Sequence, residues 1–238
     1  MLTCLCLDTI PWLCADLIKL PPFIVVFDLD DTLISERDYH YSGIQAVEHY
    51  LYNLYQFPMH GVLTDAHKRG VIDIWGYASE LLEIPPTISE SLLWIYRNHT
   101  PKIKLLPGIF ELVNKLNCQG VQLAILTDGR SISQRLKLHS VGLLNLPLYI
   151  SEEWGDMKPD QQRFKAIARR WPNSRYAYIA DNAAKDFHAP SQLGWTTLGA
   201  RWAPDPIHTI DTTCASAIPV ELPHAWLDHP HQVLHWLH

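Results

Sequence analysis

Short apolar runs alternate with helical patterns along most of the chain. The first run, Phe23 to Phe27, contains the β-branched and aromatic residues that suit a strand buried on both faces. From residue 34 to about 106 the apolar residues recur at three-four spacing, without another convincing buried strand, which predicts an inserted group of helices. Beyond Ile109 the two patterns alternate. The predicted segments are helices at 109–117, 131–140 and 160–170 and strands at 121–126, 148–150 and 176–180.

This alternation is a βαβ series and predicts an α/β fold with a parallel sheet. Thr196 to Leu198 predicts a further short strand, Gln232 to Leu237 a terminal helix, and Pro204 to Pro223 a loop. The expected units are an N-terminal extension at 1–22, an α/β core at 23–33 and 107–238, and a helical insertion at 34–106.

Composition narrows the class of protein. The chain has 238 residues, 47% of them hydrophobic, which is enough for one core domain and a smaller insert. A net charge of −6 argues against a nucleic-acid partner. Five cysteines, an odd number, favour a reducing cytoplasm over a secreted disulfide framework. We expect no membrane partner, because no stretch reaches roughly 18 uninterrupted apolar residues.

Two carboxylates follow the first apolar run. Asp28 and Asp30 are two positions apart, so in an extended segment their side chains leave on the same side. Ligands of open α/β sheets bind at the carboxyl ends of the strands. Two close like charges need a cation or a shared proton, and Mg²⁺, which prefers oxygen ligands, suits them. The alternative is a polar turn in which Thr32 caps a helix.

Two later segments offer groups for a phosphate. Thr127, Asp128 and Gly129 end an apolar run before a helix, where a hydroxyl and backbone N–H groups would bind anionic oxygens. Lys158, followed by Pro159 at the predicted start of a helix, would add a positive charge. The alternatives are a glycine turn that caps a helix and a surface lysine.

A third apolar strand, Tyr176 to Ala180, also ends in an acid. Asp181 follows it directly and Asp186 lies five residues further on. Both are candidate metal ligands, although Asp181 taken alone is equally a helix N-cap.

Together these segments resemble the motifs of the haloacid dehalogenase (HAD) superfamily, in the order in which that superfamily carries them. Residues 27–33 (FDLDDTL) resemble its first motif, residues 127–129 its second, and Lys158-Pro159 its lysine motif. Residues 180–186 resemble its acidic motif, with Ala180 where glycine is usual, and Asp128 stands where asparagine is common. The resemblance runs from about residue 23 to 201. It implies a Rossmann-like, doubly wound parallel sheet with a C1-type cap at 34–106.

The resemblance also implies residue roles. Asp28 would be the nucleophile and Asp30 the general acid and base, with Thr127 and Lys158 completing the catalytic set. The implied phosphate-binding residues are Thr127, Asp128, Gly129 and Lys158, and the implied Mg²⁺ ligands are Asp28, Asp30 through its carbonyl, Asp181 and Asp186.

An acid at position 30 points to phosphoryl transfer, because dehalogenation needs no acid for the leaving group. The expected activity is therefore Mg²⁺-dependent hydrolysis of a small phosphorylated metabolite, with a sugar or polyol phosphate favoured. A phosphomutase, a nucleotidase and a non-catalytic binding protein remain open at this stage. Oligomeric state cannot be inferred. Two polar clusters, at 37–41 and 97–102, are candidates for substrate contact or plain solvated surface.

Overall fold

The computed structural model of the chain describes residues 21–207 and 221–237. In these residues six parallel strands form one sheet. The strands are β1 (Phe23–Phe27), β2 (Gln122–Thr127), β3 (Leu148–Ile150), β4 (Arg175–Ala180), β5 (Thr196–Ala200) and β6 (Ala225–Leu227). Their order across the sheet is β3-β2-β1-β4-β5-β6. The chain thus runs outward in one direction from β1 to β3 and in the other from β4 to β6. The point where it reverses, between β1 and β4, is where ligands bind in sheets of this kind.

Both faces of the sheet are covered, as the apolar strands require. Val25 and Phe27 of β1 belong to one hydrophobic cluster, and Ile24 and Val26 belong to another on the opposite face. Burial on both sides explains why the parallel strands read as continuous apolar runs. The helices of this core are α5 (Ile109–Cys118), α6 (Ser131–Ser140), α7 (Ser151–Trp154), α8 (Gln162–Arg170) and α9 (His188–Gln192), with a 3₁₀ helix at Pro230–Trp236; they follow four earlier helices in the chain.

Those four helices form the insertion between β1 and α5. They are α1 (Glu36–Tyr55), α2 (Val62–Lys68), α3 (Ile74–Leu81) and α4 (Ile88–Asn98). The side chain of Ser35 caps α1 by accepting a hydrogen bond from the Asp38 N–H at 3.1 Å. The insertion has its own apolar core, with Val47 of α1 and Leu63 of α2 both fully buried.

The predicted α/β fold with a parallel, doubly wound sheet and a helical insertion is confirmed. Two local predictions need correction: the helix predicted at 160–170 begins at Gln162, and the predicted terminal helix is the 3₁₀ helix. Four short elements, α2, α7, α9 and β6, were not predicted. α2 is short and its N-cap residue, Gly61, provides no side-chain cap, so it carries little sequence signal.

Parts of two predicted segments lie outside the described residues, namely 1–20 of the extension and 208–220 of the loop. Within the described ranges, no helix combines the length and the apolar character that a membrane span needs.

Candidate active site

The carboxyl ends of three strands meet at one small polar cavity. Asp28 directly follows β1, Thr127 ends β2 and Asp181 directly follows β4. Because β1 lies between β2 and β4 and all three are parallel, their last residues converge on one edge of the sheet. The cavity has a volume of about 70 Å³. Its lining residues are Asp28, Asp30, Glu36, Thr127, Asp128, Lys158, Asp181 and Lys185.

Lys158 reaches this cavity from the segment before α8 and is completely enclosed. Its Nζ lies 2.8 Å from Asp28 Oδ1 and 2.6 Å from Asp186 Oδ1, and none of its side chain is exposed. Burial would lower the pKa of Lys158, but the carboxylates of Asp186 and Asp28 outweigh that effect and raise it well above the ordinary value. Lys158 therefore keeps its positive charge beside Asp28.

Asp28, Asp181 and Asp186 form a cluster of buried carboxylates. Each offers an oxygen, and these three oxygens lie within 4.8 Å of one another. Burial raises the pKa of Asp28 to about 6, although Lys158 acts in the opposite direction. Burial, with the charges of Asp186 and Asp28, raises the pKa of Asp181 to about 9. The cluster is therefore short of positive charge even with Lys158 present.

The side chain of Asp30 takes a different direction from that of Asp28. It faces α6, where Lys137 Nζ lies 2.8 Å from both of its carboxylate oxygens. Gln134 Nε2 lies 3.3 Å from Asp30 Oδ2. Lys137 and Gln134 were not predicted as site residues. Their spacing of three residues places both on one helix face, and that was the available signal.

Asp128 belongs to a second buried network rather than to an open surface. Its carboxylate accepts the Lys158 N–H at 3.2 Å and pairs with Arg163 Nη2 at 2.7 Å. Arg163 is fully buried in α8, and its Nε lies 2.6 Å from Asp156 Oδ1. Its Nη1 also donates to the Thr127 carbonyl at 2.9 Å. Arg163 thus ties the end of β2 to the start of α8.

Gly129 does not line the cavity in the way that the sequence suggested. Its N–H donates to Ser151 Oγ at 2.9 Å, so this donor already has a partner inside the protein. Its φ of 143° is in the region that favours glycine, and a Cβ there would lie 2.4 Å from Gln134 Nε2. The structure therefore supports a turn and a close packing contact for Gly129, while Thr127 and Asp128 remain beside the cavity.

Comparison with known proteins identifies the family. The model of the haloacid dehalogenase-like hydrolase family matches residues 25–200. The chain belongs to this family. The resemblance inferred from the four motifs is thereby confirmed.

One curated relative and two solved HAD structures show how far the similarity extends. The chain is 30% identical over 107 residues to a glyceraldehyde 3-phosphate phosphatase of Methanocaldococcus jannaschii. That alignment covers 42% of this chain and 47% of the relative, so the chain spans about half the length of that relative.

The two solved structures share the fold over nearly the whole chain. A HAD-superfamily hydrolase of subfamily IA, variant 1, from Geobacter sulfurreducens has a TM-score of 0.61 at 14% identity, covering 91% of this chain and 97% of that one. The HAD-hydrolase YfnB from Bacillus subtilis, whose structure contains magnesium, has a TM-score of 0.58 at 19% identity, covering 91% and 99%.

Most residues that the HAD resemblance selected lie together. Asp28, Asp30, Thr127, Asp128, Lys158 and Asp181 line the cavity, and Asp186 contacts the Lys158 ammonium at 2.6 Å. The two polar clusters of the insertion, at 37–41 and 97–102, include buried side chains as well as exposed ones. Tyr39 and His99 are buried. Tyr39 belongs to a hydrophobic cluster of the core, whereas His99 contacts the Tyr96 carbonyl and Ser42 Oγ inside the insertion.

Proposed function

We propose that this HAD hydrolase is a Mg²⁺-dependent phosphomonoesterase that acts through a phosphorylated Asp28. The observation that carries the proposal is the cavity at the ends of β1, β2 and β4, where Asp28 lies beside a buried ammonium and two further carboxylates. Lys158 and the Thr127 hydroxyl would bind the phosphoryl group of a substrate. The relative named as a glyceraldehyde 3-phosphate phosphatase supports a phosphorylated substrate.

The cluster of carboxylates fits a divalent cation. Asp181 Oδ2 is buried, and among the described residues it has no hydrogen-bond partner. Three carboxylates and one fully buried ammonium leave a negative excess that oxygen-seeking Mg²⁺ would balance. We propose Asp28, the Asp30 carbonyl, Asp181 and Asp186 as the residues that hold it directly or through water. A bound Mg²⁺ would supply charge neutralisation for the phosphoryl oxygens.

The protein's own residues would then carry out two displacements. In the first, an oxygen of Asp28 attacks phosphorus while the bond to the leaving oxygen breaks, and protonated Asp30 gives its proton to that oxygen. In the second, ionised Asp30 takes a proton from water, whose oxygen attacks phosphorus. The bond between Asp28 and phosphorus then breaks, which releases phosphate and restores the free carboxylate.

The helical insertion would act as the cap that limits substrate size. Glu36, the first residue of α1, lines the cavity, so the insertion contributes to its wall. A volume of about 70 Å³, against roughly 300–1,000 Å³ for pockets that enclose drug-sized ligands, would hold the phosphoryl group and little of the group attached to it. We therefore propose residues 34–106 as a C1-type cap and a small sugar or polyol phosphate as substrate, with the protein acting in the cytoplasm.

Phosphate release from a panel of phosphate monoesters tests this proposal. The panel includes sugar, polyol and nucleoside monophosphates, with Mg²⁺ or with EDTA, and compares the wild type with Asp28→Asn. Asp65→Asn is the control, because Asp65 is an exposed carboxylate of α2. We expect Mg²⁺-dependent release that is lost in Asp28→Asn and kept in Asp65→Asn.

Two results would overturn the proposal. If Asp28→Asn kept its turnover, Asp28 would not be the nucleophile. If the wild type released phosphate from none of the esters, the protein would not be a phosphomonoesterase. Hydrolysis of nucleoside monophosphates alone would contradict the substrate class.

A further inference from the structure

Lys137 is a buried lysine that has no role in the reaction steps proposed above. It lies on α6, and only 4% of the residue is exposed. Lysine is rarely buried without a partner, because removing an ammonium from water is costly. Within residues 21–207 and 221–237, Asp30 is the one carboxylate in ion-pair distance of Lys137 Nζ. The position of this ammonium is therefore explained by Asp30.

The contact between Lys137 and Asp30 is symmetrical. Nζ lies 2.8 Å from Oδ1 and 2.8 Å from Oδ2, so the ammonium holds both oxygens of the carboxyl group equally. Gln134 Nε2 adds a contact of 3.3 Å to Oδ2 and also donates to the Asp128 carbonyl at 2.9 Å. Each carboxylate oxygen has two lone pairs, so these donors leave a position for the proton that Asp30 would transfer.

Lys137 is itself held in place by the insertion. Its Nζ lies 4.1 Å from the ring centre of Tyr39, a buried residue of α1, in a cation–π contact. Next to it on α6, Ser133 Oγ donates to the Arg97 carbonyl at 2.8 Å, which joins α6 to the end of α4. The ammonium is thus fixed by packing from the insertion on one side and by Asp30 on the other.

We propose that Lys137, assisted by Gln134, is a positioning residue that holds the Asp30 carboxyl group at the edge of the cavity for proton transfer. The proposal deepens the proposed function and rests on it, since it takes Asp30 as the general acid and base. Without Lys137 the Asp30 side chain would be free to rotate away from the leaving oxygen. A small displacement of a catalytic group is enough to lower a rate by about 100-fold.

The leaving group provides a test that a purely structural role would not affect. An alkyl phosphate such as glycerol 3-phosphate releases an alkoxide, which needs a proton as the P–O bond breaks. 4-Nitrophenyl phosphate releases a stable phenolate, which does not. We expect Lys137→Met to lower kcat/KM for the alkyl ester by about 100-fold and for the aryl ester by less than about threefold, because kcat/KM reports the step in which the leaving group departs.

Two control variants accompany Lys137→Met. Lys115→Met, at an exposed position on α5, should leave both kcat/KM values unchanged. Lys137→Gln keeps an amide donor, so it should lower kcat/KM for the alkyl ester by a smaller factor and again affect the aryl ester less. It replaces Lys137→Met if that variant does not fold. Thermal unfolding checks that each variant is folded.

A double-mutant cycle with Asp30→Asn completes the test. If Lys137 acts through Asp30, adding Lys137→Met to Asp30→Asn should lower kcat/KM for the alkyl ester no further. An equal loss for both esters, or a full additional loss in the double variant, would overturn the positioning role. These results are distinct from failure of the proposed function, in which the wild type would hydrolyse neither ester and the role of Lys137 would fall with it.

Discussion

Arg163→Met is the substitution whose effect the structure predicts most directly. The guanidinium is fully buried and pairs with two carboxylates, at 2.7 Å from Asp128 and 2.6 Å from Asp156. Those side chains are only 8% and 5% exposed. Methionine fills much of the same volume but leaves both carboxylates buried without the guanidinium. It also leaves the Thr127 carbonyl without the hydrogen bond that Arg163 donates at 2.9 Å.

Breaking a buried ion pair by removing one partner typically costs about 3–5 kcal/mol, because the remaining charge stays buried. For a chain of this size each kcal/mol lowers Tm by about 2–4 °C, so we expect a decrease of about 6–20 °C. Burial already raises the pKa of Asp156, and Arg163 opposes that increase. Without Arg163 the carboxyl would take up a proton more readily, so the loss of stability should be larger at pH 8 than at pH 5.

Differential scanning calorimetry at these two pH values measures the effect. Arg169→Met, at an exposed position of the same helix, is the control and should change Tm by less than about 2 °C. Adding Asp128→Asn and Asp156→Asn to Arg163→Met should restore more than half of the lost stability, because no uncompensated charge then remains. A decrease in Tm no larger than that of Arg169→Met would refute the reasoning, as would a decrease that the two asparagines do not reverse.

Three further predictions concern other parts of the molecule. Asp181→Asn should weaken Mg²⁺ binding, seen as a smaller increase in Tm on adding Mg²⁺, because a buried ligand of the proposed site is lost. Glu48→Ala should destabilise the protein by about 2–4 kcal/mol in urea unfolding, since the buried Glu48 accepts the N–H groups of Gly61 and Thr64 at 3.0 and 2.8 Å. Burial lowers the pKa of His99 below its usual 6.5, so protonation favours the unfolded chain. Its contribution to stability is present above pH 6.5 and lost below, and His99→Gln should reduce the loss of stability between pH 7.5 and 5.5.

Each of these predictions has a contrary result. An unchanged Mg²⁺ response would remove Asp181 from the proposed metal site. A Glu48→Ala effect no larger than that of Glu90→Ala, at an exposed position of α4, would contradict the assigned hydrogen bonds. An identical pH dependence in His99→Gln would mean that His99 is not the group responsible.

The sequence predicted the sheet and the strand ends well for a definite physical reason. Each parallel strand is covered on both faces, so β1 appears as an uninterrupted apolar run that stops where the chain leaves the core. The polar residues that follow such runs, Asp28, Thr127 and Asp181, must then lie at the same edge of the sheet. The juxtaposition of these three residues follows from topology alone.

The sequence did not predict which helical residues compensate these charges. Lys137 and Arg163 are 107 and 35 residues from the carboxylates Asp30 and Asp128 with which they pair. Both lie in helical stretches where a lysine or an arginine is ordinarily a solvated residue. Only the packing of α6 and α8 onto the sheet shows that these two side chains point inward.

At Asp128 the family's motif and the contacts in the structure have to be considered together. In the family's second motif an asparagine is common at this position, and an asparagine would need no counterion there. An aspartate, 8% exposed, brings a negative charge next to the cluster of Asp28 and Asp181, where it would compete for the positive charge of Lys158. Arg163 removes that competition by pairing with Asp128, which leaves the Lys158 ammonium to Asp28 and Asp186. The pairing of Asp128 with Arg163 thus explains both the aspartate at this position and the buried arginine. Comparing the stability of Arg163→Met with that of the double variant Arg163→Met, Asp128→Asn measures this pairing.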